Sequence, residues 1–194
     1  MHESLIQQRR RQQLIEAAIK IIATEGMSAT TVKKITVQAG LSKGSALYHI
    51  KSKQKLYEMV VGHVYQHATQ AIGAAVAVQP TPLSKIETYL RTNLNYIIEH
   101  PYNILAVQKI ANERLIHSRT NVADDATLAL QHLIELGQQQ AEVRSGMPPL
   151  STAMLIRQAI DAASFYIAAN PSADLSQYVE AFTNFYLQAI KTSK

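Results

Sequence analysis

The side chains best suited to do chemistry in this sequence are basic, and they gather in its first third. Residues 1–60 hold ten lysines and arginines against four glutamates, whereas residues 61–194 hold nine basic and ten acidic residues. Such an excess of positive charge in one segment is typical of a module that binds a polyanion such as nucleic acid. A solvated basic surface without a partner is the alternative that charge alone leaves open.

Residues suited to catalysis are scarce. The absence of cysteine excludes disulfides, thiolate zinc sites, iron–sulfur clusters and cysteine nucleophiles. His63 and His67 have the i, i+4 spacing of a metal-binding pair, but Val64 stands where a zinc protease has its glutamate. The sequence contains no glycine-rich phosphate loop, no Gly-x-Ser-x-Gly motif and no Glu-x-x-His pair. We therefore predict no catalytic residue, no metal and no cofactor.

The composition is that of a packed globular protein. Hydrophobic residues make up 47% of the chain and charged residues only 17%, which excludes a mainly disordered protein. The longest apolar stretches, such as residues 72–78, are far shorter than the roughly 20 residues that span a membrane. The first residues lack the order of a signal peptide. We therefore expect a cytoplasmic protein.

Helical periodicity dominates the chain, and no segment alternates as a strand does. Breaks at Gly26, at Gly40 and at several prolines separate the helical segments. The pattern predicts an all-α fold of about nine helices, over residues 7–24, 31–39, 42–50, 53–78, 83–99, 102–117, 122–143, 150–169 and 174–191.

Two short predicted helices, joined by residues 39–42, have the features of a helix-turn-helix. Ala39 is small enough for the helices to cross closely, and Gly40 suits the backbone angle of the turn. Leu41 would fill the core and Ser42 would cap the next helix. The basic surroundings and the preceding amphipathic helix support the same interpretation.

This segment resembles the DNA-binding domain of the tetracycline-repressor (TetR) family. The resemblance covers residues 8–56 and rests on the stretches 14–26, 29–35, 39–44 and 48–53. The family consists of homodimeric, ligand-responsive transcriptional regulators, usually repressors. The resemblance implies a three-helix helix-turn-helix domain over residues 1–52 and a helical ligand-binding and dimerisation domain over residues 53–194.

The resemblance also implies which residues contact DNA. The third helix would be the recognition helix, whose N-terminal half enters the major groove. The base-side contacts would be Lys43, Gly44, Ser45 and Tyr48, and the phosphate contacts would be Thr31, His49, Lys53 and Lys55. The two last lysines stand at a helix N-terminus, whose partial positive charge a bound phosphate would offset. Leu47 departs from the family pattern, because an aromatic residue that contacts phosphate is most common at that position.

Two apolar stripes near the end of the chain predict a dimer. In the resembled family the last two helices pair with their mates across a two-fold axis. The residues predicted to lie in this interface are Ile156, Ala159, Ile160, Ala163, Tyr178, Phe182 and Tyr186. Periodicity alone leaves open that these stripes are ordinary intramolecular core.

Effector binding is the least specified function. Scattered polar and aromatic residues on otherwise apolar faces could line a cavity, and they are His63, His67, Tyr89, Asn93, Tyr96, Gln108 and Phe165. Each of them could equally be a core or solvated residue. Because no charge cluster lies in this region, we expect a neutral or weakly polar small molecule.

The sequence thus predicts a ligand-responsive, homodimeric regulator that binds double-stranded DNA, a repressor released from a pseudo-palindromic operator by a small molecule. Two alternatives remain open at this stage. One is a helical-bundle, metal-dependent enzyme that uses His63 and His67. The other is an architectural DNA-binding protein that is indifferent to sequence.

Overall fold

The computed structural model describes residues 4–113 and 121–192, with the side chains of residues 121–124 left aside. Across these residues the chain forms nine α-helices, which confirms the predicted all-α fold. In chain order the helices are Leu5–Glu25 (α1), Val32–Ala39 (α2), Lys43–His49 (α3), Lys53–Ala77 (α4), Pro82–Glu99 (α5), Pro101–Asn112 (α6), Asn121–Gln139 (α7), Pro149–Ala169 (α8) and Ser176–Ile190 (α9).

Local capping moves one predicted helix boundary, and a contact with a distant residue moves another. α1 begins two residues earlier than predicted because Ser4 and Gln7 form a reciprocal capping box. α7 ends before the predicted residue 143 because the chain turns at Ala141, whose φ is +56°, and Val143 forms an isolated bridge with Lys191. The predicted end of the sixth helix, at residue 117, lies outside the described residues.

The described residues divide into two compact units. The first consists of residues 4–66 and 102–113, and the second of residues 67–101 and 121–192. The contact pattern thus places the first half of α4 and nearly all of α6 with the helix-turn-helix segment. The predicted division of domains at residues 52 and 53 stays a prediction.

One apolar core holds the first unit together. Its fully buried side chains include Leu14, Ile22, Ile35, Leu56 and Ile110. These residues come from α1, α2, α4 and α6, so the two helices of the helix-turn-helix rest on a larger helical scaffold. A hydrogen bond of 2.8 Å from Lys109 Nζ to the carbonyl oxygen of Ala23 adds a polar tie between α6 and the end of α1.

In the second unit, α5 packs against α7, α8 and α9, and α7 packs against α8. At one end, the loop after α7 ties the beginning of α5 to the end of α9. Glu142 Oε2 accepts the Leu83 N–H at 2.8 Å, and the Glu142 carbonyl accepts the Thr192 N–H at 3.1 Å. Arg144 donates from Nε to the Lys191 carbonyl at 2.8 Å. This loop closes the unit with hydrogen bonds where the apolar core ends.

Gly137 is the glycine at which the fold has least room for a side chain. A Cβ atom there would lie 2.5 Å from Val143 Cγ2. Because valine is stiff at χ1, we expect Gly137→Ala to lower the free energy of unfolding by about 1–3 kcal/mol, measured by urea denaturation. Gly73→Ala is the matched control, since a Cβ at that position in α4 meets nothing within 4 Å. Equal stability of the two variants would contradict this account.

No helix among the described residues is long and apolar enough to cross a membrane.

Candidate nucleic-acid interface

The turn between α2 and α3 is built by short-range hydrogen bonds. Thr31 caps α2 by accepting the Lys34 N–H on Oγ1 at 3.2 Å, and Ser42 caps α3 by accepting the Ser45 N–H on Oγ at 3.3 Å. Gly40 adopts the left-handed conformation, with φ of +65° and ψ of +31°. The buried side chains of Ile35 and Ala46 then fix both helices on the core. The predicted Ser42 cap and the predicted turn glycine are both present.

One side of α3 faces the solvent. We call it the recognition face, and it consists of Lys43, Gly44, Leu47 and Tyr48, all of which are exposed. Their spacing of i, i+1, i+4 and i+5 places them on one side of a helix, opposite the buried Ala46. Three of the four predicted base-side residues therefore lie together.

The structure differs from the prediction at two positions of this helix. Ser45 is half-buried, and its backbone N–H already serves the helix cap. Leu47 takes its place on the recognition face, with an exposed fraction of 52%. The i, i+4 spacing from Lys43 is the sequence signal that could have identified it. His49 is half-buried at the other end of α3, with its ring 5.0 Å from that of Tyr48.

Gly44 has no structural reason to be glycine. A Cβ atom added there would meet nothing within 4 Å. Alanine is also the better helix former, by up to about 1 kcal/mol. The missing side chain therefore leaves a bare stretch of backbone on the recognition face, where another molecule can approach closely.

Exposed lysines and arginines give the first unit its positive charge, and they are Arg9, Arg10, Arg11, Lys20, Lys33, Lys34, Lys43, Lys51, Lys53 and Lys55. Some are partly neutralised within the chain. Lys34 pairs with Glu25, and Lys55 Nζ lies 3.2 Å from Glu58 Oε2. Hydrogen bonds from Lys55 and then Gln54 lower the pKa of Glu58.

The first turn of α4 is capped by Ser52, which accepts the Lys55 N–H at 3.0 Å. This cap fixes the helix N-terminus at which the predicted phosphate site lies.

Two predicted effector residues meet in the second unit around an arginine that sequence reasoning missed. Arg157 donates from Nη1 to Tyr89 Oη at 3.0 Å and to Asn93 Oδ1 at 3.3 Å, and it pairs with Asp161 at 3.5 Å. Tyr89 and Asn93 are buried. Burial raises the pKa of Tyr89, and the positive charge of Arg157 opposes that rise. Arg157 is thus a charged, mostly buried donor between α5 and α8.

Replacing Arg157 should destabilise the second unit. Arg157→Met leaves the Tyr89 hydroxyl and the Asn93 carbonyl without this donor, so we expect a loss of about 1–3 kcal/mol in the free energy of unfolding. Arg91→Met is the matched control, because Arg91 pairs with Glu180 and Glu87 at a more exposed position and should cost less than about 1 kcal/mol. If chemical denaturation showed a larger loss in the free energy of unfolding for Arg91→Met than for Arg157→Met, the stabilising role assigned to Arg157 would be wrong.

A second polar cluster joins α4 to the end of α5. His67 Nδ1 lies 3.0 Å from Tyr96 Oη, and the ring of His100 lies 5.2 Å from that of His67 and 4.5 Å from that of Tyr96. In the part of the chain that the structure describes, no group of three or more histidine, cysteine, aspartate or glutamate residues could hold a metal ion. Within this unit, His67 therefore contacts the side chains of Tyr96 and His100.

The remaining predicted effector residues do not join these clusters. His63 and Gln108 are half-buried and belong to the first unit. Phe165 is exposed on α8 and faces away from the core of its own chain. The structure therefore assembles Tyr89 with Asn93, and His67 with Tyr96, as two separate polar clusters.

The predicted dimer residues on α8 lie on the wrong side of the helix for an interface. Ile156, Ile160 and Ala163 are buried inside their own chain, where they form core. The exposed side of α8 carries Met154, Leu155, Phe165 and Tyr166, and α9 adds Phe185. We call these five residues the α8–α9 outer face. Ala159, Tyr178, Phe182 and Tyr186 are half-buried.

One aromatic contact joins the two helices near this outer face, and others lie within α9. The ring of Tyr166 lies 5.1 Å from that of Tyr178, and the ring of Phe185 lies 5.2 Å from that of Tyr186. Within α9, the ring of Phe182 also lies 4.8 Å from that of Tyr186. Both helices therefore carry exposed apolar side chains, and clusters of such side chains mark interaction sites in soluble proteins.

Comparison with known proteins agrees with this architecture. Residues 14–60 match the family described as "Bacterial regulatory proteins, tetR family". Over 86 residues the chain is 31% identical to the HTH-type transcriptional regulator BetI of Brucella anthropi, covering 44% of each chain. Over 143 residues it is 24% identical to the HTH-type transcriptional repressor NicS of Pseudomonas putida, covering 70% of this chain and 66% of NicS. The alignments thus span less than half of BetI and about two thirds of NicS.

The fold is shared over almost the whole chain. The crystal structure of AibR in complex with isovaleryl coenzyme A and operator DNA superimposes with a TM-score of 0.74 at 15% identity, covering 95% of this chain and all of AibR. At this identity the likeness concerns the fold alone. The family match lies on the helix-turn-helix segment, on which the recognition face is built. The segment over residues 14–60 thus belongs to the tetR family of bacterial regulatory proteins.

Proposed function

We propose that the protein is a homodimeric transcriptional repressor that binds a pseudo-palindromic operator and is released from it by a small molecule. The observation that carries the proposal is the recognition face of α3, which is exposed, carries Lys43, and has bare backbone at Gly44. A major groove accepts one helix of this kind, and the exposed lysines of the same unit suit the phosphates on either side. A DNA-binding regulator acts beside the chromosome, so the proposal places the protein in the cytoplasm.

The α8–α9 outer face supports the dimer. Large exposed apolar residues such as Leu155 and Phe185 are costly in water unless a partner covers them. A two-fold axis through this face would bring two identical surfaces together and pair the two DNA-binding units. Two recognition helices then contact half-sites about 34–36 Å apart, which is one turn of DNA.

The fold and the two polar clusters of the second unit support the proposal that an effector releases the protein from DNA. AibR, which shares the fold, was solved with both a small molecule and operator DNA. In this chain Tyr89, Asn93 and Tyr96 place hydroxyl and amide groups within an apolar core, and such groups orient ligands in mostly apolar sites. An effector must bind the DNA-free state more tightly than the DNA-bound state. It should therefore raise the melting temperature of the free protein and weaken operator binding.

Selection of bound sequences from random DNA tests the operator. We expect an enriched inverted repeat that the protein binds about 1,000-fold more tightly than unrelated DNA at physiological salt. Affinity for both kinds of DNA should fall with rising salt concentration, since phosphate contacts release counterions in both. Equal affinity for the selected and unrelated duplexes at every salt concentration would favour the architectural alternative instead.

The two classes of lysine should respond differently to substitution. Lys43→Ala should weaken binding to the selected operator by about tenfold or more. It should also relax the base preference at one base pair in each half-site. Lys53→Ala should weaken binding to all DNA about equally, and it should reduce the slope of log affinity against log salt concentration by about one. Lys191→Ala, an exposed lysine of the second unit, is the control and should change neither quantity. Indistinguishable behaviour of the first two variants on operator and random DNA would refute these roles.

A further inference from the structure

We propose that Leu47 reads the operator through the C5-methyl group of a thymine, so that it is a specificity-determining residue. The inference rests on the proposed operator binding and adds to it the chemical group that this side chain recognises. It also predicts a base of the operator, namely one thymine in each half-site whose methyl group lies against α3.

The first step of the argument is the position of Leu47. It lies on the recognition face, one turn after Lys43 and directly before Tyr48. About half of its side chain is exposed, whereas the adjacent Ala46 is completely buried. Ala46 and Ile50 anchor α3 on the core, so the helix does not need Leu47 for packing.

The second step is the chemistry of the side chain. Leucine has no hydrogen-bond donor or acceptor, so it cannot take the phosphate contact that an aromatic hydroxyl or indole nitrogen makes. Of the base edges in the major groove, only that of thymine carries an apolar group, its methyl. Against any other base edge, Leu47 would remove water from polar atoms without replacing the hydrogen bonds. The side chain is therefore selective for thymine.

The third step is access. Lys43 on the same face, with the other exposed lysines of the unit, gives this surface the charge that a DNA groove attracts. Gly44 lies three residues before Leu47 on the same side of the helix, and its backbone is open. Close approach of this backbone would bring Leu47 within van der Waals contact of a methyl group in the groove floor. The charge complementarity and the open backbone together favour DNA over a protein as the occupant of this face.

Uracil substitution isolates the methyl group. In the selected operator, each thymine is replaced in turn by deoxyuridine, which differs only by the missing methyl, and the dissociation constant is measured for the wild type and for Leu47→Ala. In the wild type we expect a loss of about three- to tenfold at one thymine in each half-site, since burying one methyl group has an effect of that order. In Leu47→Ala the same replacement should have almost no effect.

Leu128→Ala is the matched control, because Leu128 on α7 is a leucine of similar exposure, at 55%. It should keep the wild-type response to uracil, as should the conservative variant Leu47→Met. Circular dichroism should show unchanged melting for all three, since none of the sites is core. The proposal is overturned if no thymine is sensitive to uracil, or if the sensitivity persists in Leu47→Ala. A protein that selects no preferred sequence would instead refute the proposed operator binding.

Discussion

Phe185→Asp is expected to convert the protein to a monomer and to lower its affinity for the operator by about 100-fold or more. Phe185 is 68% exposed on the α8–α9 outer face, and a two-fold axis through that face would set two aspartates close together in an apolar interface. A monomer loses the gain that comes from binding two half-sites at once, which commonly reaches about 100- to 10,000-fold. Analytical ultracentrifugation gives the mass, and fluorescence anisotropy with labelled operator gives the affinity.

Val78→Asp is the matched control for this experiment. Val78 is an apolar residue at least as exposed, at 77%, but it follows the end of α4 and is not part of α8 or α9. It should remain dimeric and bind the operator normally. A Phe185→Asp protein that stays dimeric would show that another surface forms the dimer. A monomer with unchanged affinity for the full operator would show that dimerisation does not drive DNA binding.

The helices of this protein could be predicted from sequence because their ends are specified locally. Thr31, Ser42 and Ser52 each accept a backbone N–H within the first turn of the following helix, and Gly40 takes the left-handed conformation at the turn. Periodicity and caps depend on neighbours within four residues. Predictions based on them therefore agree closely with the structure. The start of α1 is moved by its own capping box, and the end of α7 by the bridge between Val143 and the distant Lys191.

The exposed side of α8 could not be predicted from periodicity because this helix is apolar on more than one side. Ile156 and Ile160 form one stripe, and Leu155 and Phe165 lie on another. Both stripes have helical spacing, so only the packing of α5 and α7 against α8 decides which is core. The sequence therefore indicated an apolar helix correctly but assigned the buried side to the partner.

Two functional candidates were missed for a similar reason. Nothing in the sequence of α8 distinguishes Arg157 from other polar residues. Its role depends on its hydrogen bonds to Tyr89 and Asn93, which lie more than sixty residues away on α5. Leu47 departs from the pattern of the resembled family, so the resemblance implies no role for it, although its i, i+4 relation to Lys43 places it on the same side of α3. In both cases the property that matters is a position in space relative to other helices.

Gly44→Ala should separate folding from DNA binding, because the two properties are expected to change in opposite directions. An added Cβ meets nothing within 4 Å in the protein, so the fold should accept it. Alanine also favours the helix, and the free energy of unfolding should rise by up to about 1 kcal/mol. On the recognition face, however, the methyl group occupies the space into which the DNA must come. We expect operator affinity to fall by about tenfold or more, as it does when a good base contact is lost.

The matched control is Gly62→Ala, another glycine within a helix whose Cβ would meet nothing within 4 Å, in this case in α4. It should gain similar stability and keep full operator affinity, since it lies outside the recognition face. Thermal melting and anisotropy titrations on the same preparations compare the two quantities directly. Because only the neighbourhood of the added methyl differs, weaker binding by Gly44→Ala alone locates the DNA at this face. Unchanged operator affinity in Gly44→Ala would place the DNA elsewhere and would remove the close approach on which the thymine contact of Leu47 depends.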